Sequence, residues 1–481
     1  MLCVRATPGL TFDDVLLVPR RSHVYSRGET STATRLTARI PMAIPVISAN
    51  MDTVTEWQMA VAMARAGGIG IIHRFMSAES EAEQVRRAKR AESYIVDAPQ
   101  CVTPGATARH ARQVMARRGI GGLVVAQADG RPLGILTRRD LQFADDDQAV
   151  DELMTPAGRL VTAPVGTTLE EARQILDSHR IEKLPLIDAE GQLAGLITTK
   201  DILRARQHPG ATKDQKGRLR VGAAVGVRPG YLERAGLLVD AGADVLVVDV
   251  AHGHADGAIE AVKAMRREFG DVEIIAGNVA TADGTLELID AGASAVKVGV
   301  GPGSICITRV VTGFGVPQLT AIADCAEAAR PRGIPIIADG GIRNSGDMVK
   351  ALAAGASSVM VGSLLAGTDE SPGVVVMRNN RPTKVSRGMA SLGATMDRPD
   401  LEPQDADEDP SWARVVAEGV EAAVPYRGSV DDVLNQLAGG LRSGLSYGGA
   451  RSLEELQANA EFIQMSQAGV AESLPHDVEV L

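Results

Sequence analysis

The chain has 481 residues, more than the ~250 to 300 that one simple core supports, so it should form a large barrel with an added module, or two domains. Its formal net charge of −10 argues against a general nucleic-acid surface, which needs clustered Lys and Arg, but leaves room for a small anionic ligand held locally. The four cysteines, Cys3, Cys101, Cys306 and Cys325, show neither CxxC spacing nor disulfide density, and no uninterrupted apolar run of about twenty residues occurs. The expectation is a soluble, cytoplasmic protein with no membrane partner.

The opening stretch MLCVRATPGLTFDDVLLV lacks the basic start and long apolar core of a signal peptide. PMAIPVISANMDTVTE and GGIGIIHRF then read as two strand-and-loop units. Between residues 93 and 204 the texture changes to an internal repeat. TPGATARHARQVMARRGIGGLVVAQADGRPLGILTRRDL is echoed by APVGTTLEEARQILDSHRIEKLPLIDAEGQLAGLITTKDI, aligned through a helix, a strand, a turn and a second strand. We expect a module at 93–204, with halves at about 93–148 and 149–204, inserted into a domain formed by 1–92 and 205–481. Both copies resemble cystathionine-β-synthase-type repeats, which pair to bind adenine or guanine nucleotides. That resemblance implies a regulatory ATP or GTP site, with Thr137, Asp140, Thr198 and Asp201 at the ribose- and phosphate-contacting positions. An alternative is that each Thr and Asp simply caps the helix that follows.

From about residue 219 the chain alternates short β-branched runs (RVGAAVGV, ADVLVVDV, VEIIAGNVA, ASAVKVGV, IPIIADGGI, ASSVMVG) with amphipathic stretches that begin near small polar residues and end in Ala-Gly. Nearly continuous apolar strands of this kind belong to a parallel sheet covered by crossover helices, so the fold class is α/β. Polar, glycine-rich sequence follows each strand, as at the C-terminal face of a (β/α)8 barrel, and no GxGxxG with an acidic ribose reader supports a doubly wound sheet.

The loops carry the chemistry. In GPGSICIT, Cys306 follows glycines that let the backbone approach a ligand, with the Ser304 hydroxyl alongside and Thr308 two residues on. Gly341, Gly362 and Ser363 stand where a barrel often builds a phosphate cradle. Asp339 ends a strand and, as an acceptor-only carboxylate, suits a ribose diol. Asp249 and Asn278 end two further strands and face a second ligand across the mouth. His252 and His254 lack companion ligands and read as loop hydrogen-bonders rather than a metal site.

LTFDDVLLVP, ISANMDTVTE, KVGVGPGSICITRVVTGFGVPQ, IIADGGIR, VMVGSLLAGT, SRGMASLGA, AEGVEAAVPYRG and GGLRSGLSYGGA resemble the inosine monophosphate dehydrogenase and GMP reductase family over nearly the whole chain. The resemblance implies that Cys306 attacks C2 of a purine nucleotide held by Ser304, Asp339, Gly341, Gly362, Ser363, Gly388 and Met389. It puts Asp249 and Asn278 on the nicotinamide side and pairs Thr308 with Glu418 as catalytic groups. It also implies a homotetramer, or an octamer, and a potassium ion on the carbonyls of Gly301, Gly303 and Cys306.

The two activities of that family diverge after the first covalent step. The dehydrogenase hydrolyses its thioimidate and carries an Arg-Tyr pair in a flap, the arginine activating water; the reductase displaces ammonia and uses NADPH. The corresponding region here, MASLGATMDRPDLEPQDADEDPSWARVVAEGVE, has no tyrosine. The chain's tyrosines, Tyr25, Tyr94, Tyr231, Tyr426 and Tyr447, follow Val, Ser, Gly, Pro and Ser, so no Arg-Tyr pair exists. A missing general base costs about 10²- to 10⁴-fold, which compromises hydrolysis and leaves deamination untouched. Asp-Val-Ala in VVDVAHG, GMAS, and Ser386 in the place of a phosphate-binding tyrosine point the same way, while the insert, PYRG and GAR look dehydrogenase-like. The expectation is an NADPH-dependent GMP reductase; the alternatives are a dehydrogenase with Arg398 or Arg414 as base, and a catalytically silent nucleotide sensor.

Overall fold

The computed structural model describes residues 4–92, 95–96, 99–396, 416–475 and 478. The chain divides into two compact units, one comprising Met1–Ala91, Gly210–Thr212 and Leu219–Leu481, the other Glu92–Pro209 and Lys213–Arg218. Among the described residues no helix is long and apolar enough to cross a membrane.

The first unit is a closed parallel barrel of eight strands: β1 (Val46–Ser48), β2 (Ile69–Ile72), β3 (Gly222–Val225), β4 (Val245–Asp249), β5 (Glu273–Val279), β6 (Ala295–Val298), β7 (Ile336–Asp339) and β8 (Ser358–Val361). Each is followed by a helix, from Trp57–Arg65 after β1 to Val430–Tyr447 after β8. The period of two along each strand sorts the side chains. Ile47, Ile69, Ile71, Ala224, Val245, Val247, Ile275, Ala295, Ile337 and Met360 pack inside the barrel, where Leu36, Ile40 and Met42 of the hairpin Thr34–Thr37/Ile40–Met42 join them. Their alternates, such as Val46, Leu246, Val296 and Val359, pack outward against the helices.

This parity positions the site. Asp249 is two residues beyond Val247, Lys297 two beyond Ala295 and Asp339 two beyond Ile337, so all three point to the barrel axis at its C-terminal end. Asn278 has the opposite parity, but the pairing of β5 with β6 shifts register between Gly277 and Val279, and that irregularity turns Asn278 inward.

An antiparallel sheet, Val376–Arg378, Arg381–Arg387 and Glu421–Pro425, follows β8. Its hairpin turns at Asn379 and Asn380, with φ +50 and +58, a conformation asparagine tolerates. In the second unit each repeat forms a short strand, a helix and an antiparallel pair. The first is Cys101–Val102, Ala108–Arg118, Gly122–Ala126 and Pro132–Thr137; the second is Ala163–Pro164, Leu169–Ser178, Lys183–Ile187 and Leu193–Thr198. The helix Thr199–Gln207 runs past the boundary expected at 204.

The helix Ala78–Ala91 is fixed to the barrel by charge. Lys89 Nζ lies 2.9 Å from Asp244 Oδ2, which also accepts the amide of Val221, and the two side chains are only 4 % and 10 % exposed. Lys89→Met would take the ammonium from that buried carboxylate, an effect of up to about 3–5 kcal/mol for a buried pair broken on one side. A clear fall in the urea midpoint is therefore expected; an unchanged midpoint would show that the pair contributes nothing.

Candidate active site

The loop after β6 can follow its path only as glycine at two points. Gly299 has φ +148, and a Cβ there would lie 2.0 Å from the Asp339 carbonyl oxygen; Gly301 has φ +80, and a Cβ would meet Arg309 Cγ at 2.5 Å. Arg309 then pins the loop, donating from Nε to the Val300 carbonyl at 3.0 Å and from Nη2 to that of Val316 at 2.6 Å. Cys306 follows, its amide donating to Gly303 O at 3.1 Å.

A second segment is laid antiparallel against this loop. Ile307 N donates to Glu418 O at 2.8 Å, Val420 N donates to Ile305 O at 2.9 Å, and Cys306 faces Gly419 between them. Gly388 N donates to Val420 O at 3.0 Å, and Glu418 N to Ala390 O at 3.0 Å. A side chain at Gly388 would press on Gly419 Cα at 3.1 Å and Ile305 O at 3.3 Å, so the three segments stack only because these positions are bare. Cys306 Sγ lies 3.2 Å from Thr308 Oγ1, and Glu418 borders the same opening.

That opening is a cavity of about 790 Å³, within the usual range for a small-molecule site. It brings together Gly301, Gly303, Cys306, Thr308, Asp339, Gly388, Met389, Glu418, Asp249 and Asn278 of the residues expected from sequence. Ser304, Gly341, Gly362 and Ser363 are outside its lining, although at the same end of the barrel. Ser304 is exposed, Gly341 sits in a turn at φ +82, and Gly362 precedes the short helix Ser363–Ala366 beneath Met51, which does line the cavity. Thr137, Asp140, Thr198 and Asp201 belong to the second unit. There Thr137 N and Oγ1 both donate to Asp140 Oδ2 at 2.7 Å across a turn, while Thr198 Oγ1 donates to Asp201 Oδ2 at 2.6 Å and the Asp201 amide returns to Thr198 Oγ1 at 3.3 Å, capping the helix Thr199–Gln207. Arg398 and Arg414 lie outside the described residues.

Sequence reading missed the residue at the floor of the cavity. Lys297 is 2 % exposed, and its ammonium donates to Asp249 Oδ1 at 2.8 Å, to Asp339 Oδ2 at 2.7 Å and to Asn278 Oδ1. The available signal was a lone charge inside the apolar strand AVKVGV. Asn278 is fully engaged, since Nδ2 donates to Gly299 O at 2.7 Å and Asp339 Oδ2 at 2.9 Å. Asp339 Oδ1, by contrast, has no protein donor among the described hydrogen bonds and remains available to a ligand.

Burial pushes the Lys297 ammonium toward deprotonation, but the charges of Asp249 and Asp339 outweigh it and leave its pKa raised. Burial likewise pushes the Asp249 carboxyl up; the charge and hydrogen bond of Lys297, helped by Arg74 and a hydrogen bond from Asn50, hold it below its ordinary value. Arg74 and Asn50 also line the cavity and were not singled out from sequence. His254 Nε2 lies 3.3 Å from Glu287, and among the described residues no cluster of His, Cys, Asp or Glu could hold a metal.

Comparison with known proteins places this geometry in a family. Residues 9–476 match the model of the IMP dehydrogenase / GMP reductase domain, and the chain belongs to that family. It is 55 % identical over 470 residues to an inosine-5′-monophosphate dehydrogenase from Nitrosopumilus maritimus (strain SCM1), covering 98 % of both chains. It is also 49 % identical over 482 residues to a GMP reductase from Leishmania major, again covering 98 % of both. A crystal structure of a cysteine-to-alanine variant of GMP reductase from Trypanosoma brucei in complex with guanosine 5′-monophosphate is 46 % identical, with a TM-score of 0.84 over 98 % of this chain and 99 % of that one. The chain is thus an oxidoreductase of a family that uses a nicotinamide cofactor.

The cysteines should differ in reactivity. Cys306 opens on the cavity and Cys101 is exposed, while Cys325 is buried, its thiol pushed up by burial to about 11. Timed iodoacetamide labelling read by peptide mass at pH 8 should modify Cys306 and Cys101 well before Cys325. Early labelling of Cys325 would contradict the packing described.

Proposed function

We propose that this member of the IMP dehydrogenase / GMP reductase family is a GMP reductase, converting GMP to IMP and ammonia at the expense of NADPH. The observation that carries the reading is the absence of any Arg-Tyr pair from the chain, and so of the family's water-activating arginine in its expected setting. The identity to the Leishmania reductase supports it. Since 98 % of both chains align, the inserted unit does not weigh against a reductase.

In this reading the Cys306 thiolate attacks C2 of GMP while the ribose diol donates to Asp339. The C2–N bond breaks as the departing amine takes a proton through Thr308, whose hydroxyl lies 3.2 Å from the thiol, relayed from Glu418. The proton is required because NH₃ leaves and NH₂⁻ does not. Ser304, Gly341, Gly362 and Ser363 receive the phosphate, and Gly388 and Met389 border the base. The cavity beside Asp249 has room for a nicotinamide, and NADPH supplies hydride to C2 when bound there. Expulsion of the Cys306 thiolate from C2 then releases IMP. The carbonyls of Gly301, Gly303 and Cys306 are the oxygens that would hold a potassium ion, the Gly303 oxygen already sharing its lone pairs with the Cys306 amide.

The second unit takes ATP or GTP at Thr137, Asp140, Thr198 and Asp201 and thereby changes activity. A GMP reductase from Trypanosoma brucei in complex with guanosine 5′-triphosphate, TM-score 0.74 at 43 % identity, supports GTP. The chain assembles as a homotetramer, or an octamer, and the exposed apolar side chains of Val310, at 85 %, and Phe314, at 77 %, support contact with another copy. One other reading has a specific observation behind it: the 55 % identity to a dehydrogenase favours IMP oxidation, with Arg398 or Arg414 as base.

Absorbance at 340 nm separates the two. GMP-dependent loss of NADPH with IMP as product is expected, and robust NADH formation from IMP and NAD would overturn the proposal. Cys306→Ala should abolish turnover and still bind GMP, as the Trypanosoma variant does. Glu418→Gln should lower kcat by about 10²- to 10⁴-fold with little change in GMP affinity, and an unchanged kcat would remove Glu418 from the proton relay.

A further inference from the structure

Lys297 lies between groups assigned above to different ligands. Its ammonium has three hydrogens and three acceptors, Asp339 on the nucleotide side and Asp249 with Asn278 on the cofactor side. At 2 % exposure, with every donor used, it has nothing left to offer either ligand directly. Any movement of Asp339 is instead passed on: Nζ cannot follow one acceptor without lengthening its bond to another. Asn278 closes the loop, since Asp339 Oδ2 accepts from both Nζ and Asn278 Nδ2. Neither carboxyl group is locked away, for each side chain is 21 % exposed and lines the cavity.

We propose that Lys297 is a positioning residue that couples the two halves of the cleft, so that GMP against Asp339 and the nicotinamide nucleotide against Asp249 each raise the other's affinity. The sign follows from order: the first ligand fixes its carboxylate and, through Nζ, the partner carboxylate, so the second ligand meets a site already set. Linkage requires the effect to be the same in both directions. The proposal rests on the GMP reductase reading for the identity of the ligands, and on the lysine cluster alone for their coupling.

The test uses calorimetric titration of GMP into full-length protein with and without saturating NADP⁺, in a Cys306→Ala background so that no covalent bond forms. With Lys297 present, NADP⁺ should tighten GMP binding at least about fivefold, the lower end of ordinary site-to-site coupling. In Cys306→Ala/Lys297→Met the factor should fall below twofold while GMP alone still binds, a result that general loosening of the fold would not give. Lys297→Arg keeps the buried charge and the fold but replaces a three-way donor with a planar fork; it should also lose most of the coupling, and it carries the test if Lys297→Met does not fold. An unchanged factor in a folded variant, or no coupling in the parent, would overturn the proposal and leave the GMP reductase reading intact. Failure of the parent to bind GMP at all would overturn both.

Discussion

A buried ammonium must be answered by acceptors, because a charge left unpaired in a protein interior costs several kcal/mol. At the mouth of this barrel that requirement falls on Lys297, and the answer comes from the two flanking strands, through Asn278 and Asp339, and from the next strand over, through Asp249. The same parity that fills the barrel with Val247, Ala295 and Ile337 carries Asp249, Lys297 and Asp339 to its open end. The register shift in β5 supplies the third acceptor. The strand ends are thereby held to one another independently of any ligand, and the loops that leave them start from fixed points.

The reactive loop depends on that frame and on a second one. Gly299 passes against the Asp339 backbone, and the segment containing Cys306 is then clamped by Gly388 and Gly419. The clamp puts Glu418 on the wall of the cavity that Thr308 and the thiol also line. On the proposed GMP reductase reading, these groups suffice for amine departure. Hydrolysis would need in addition a base beyond this cluster, which is why the direction of the chemistry turns on the region between Met396 and Val416 rather than on the cysteine loop that both activities share.

The barrel was readable because its strands are short β-branched runs with glycine-rich exits, a pattern set by burial on both faces. Cys306, Thr308, Asp339 and Asp249 were readable because each stands at a strand exit. Lys297 was not: its partners are 48, 19 and 42 residues away, and only closure of the barrel brings them together. Glu418, more than a hundred residues from Thr308, was placed by resemblance alone, since local sequence carries no sign of the antiparallel contact with Cys306. Nor could sequence reveal that both hydrogens of the Asn278 amide are already taken within the protein. In the repeats each Thr–Asp pair is engaged internally, Thr198 with Asp201 as a helix cap and Thr137 with Asp140 across a turn, whereas sequence had left capping open beside nucleotide contact.

The central claim is that the Cys306 adduct is resolved by hydride and never by water. Its most direct test is product mass after reaction in H₂¹⁸O, with GMP and NADPH in one arm and IMP and NAD in the other. The account predicts unlabelled IMP from the first arm, with one ammonium released per NADPH consumed, and no XMP from the second. XMP carrying ¹⁸O would contradict it.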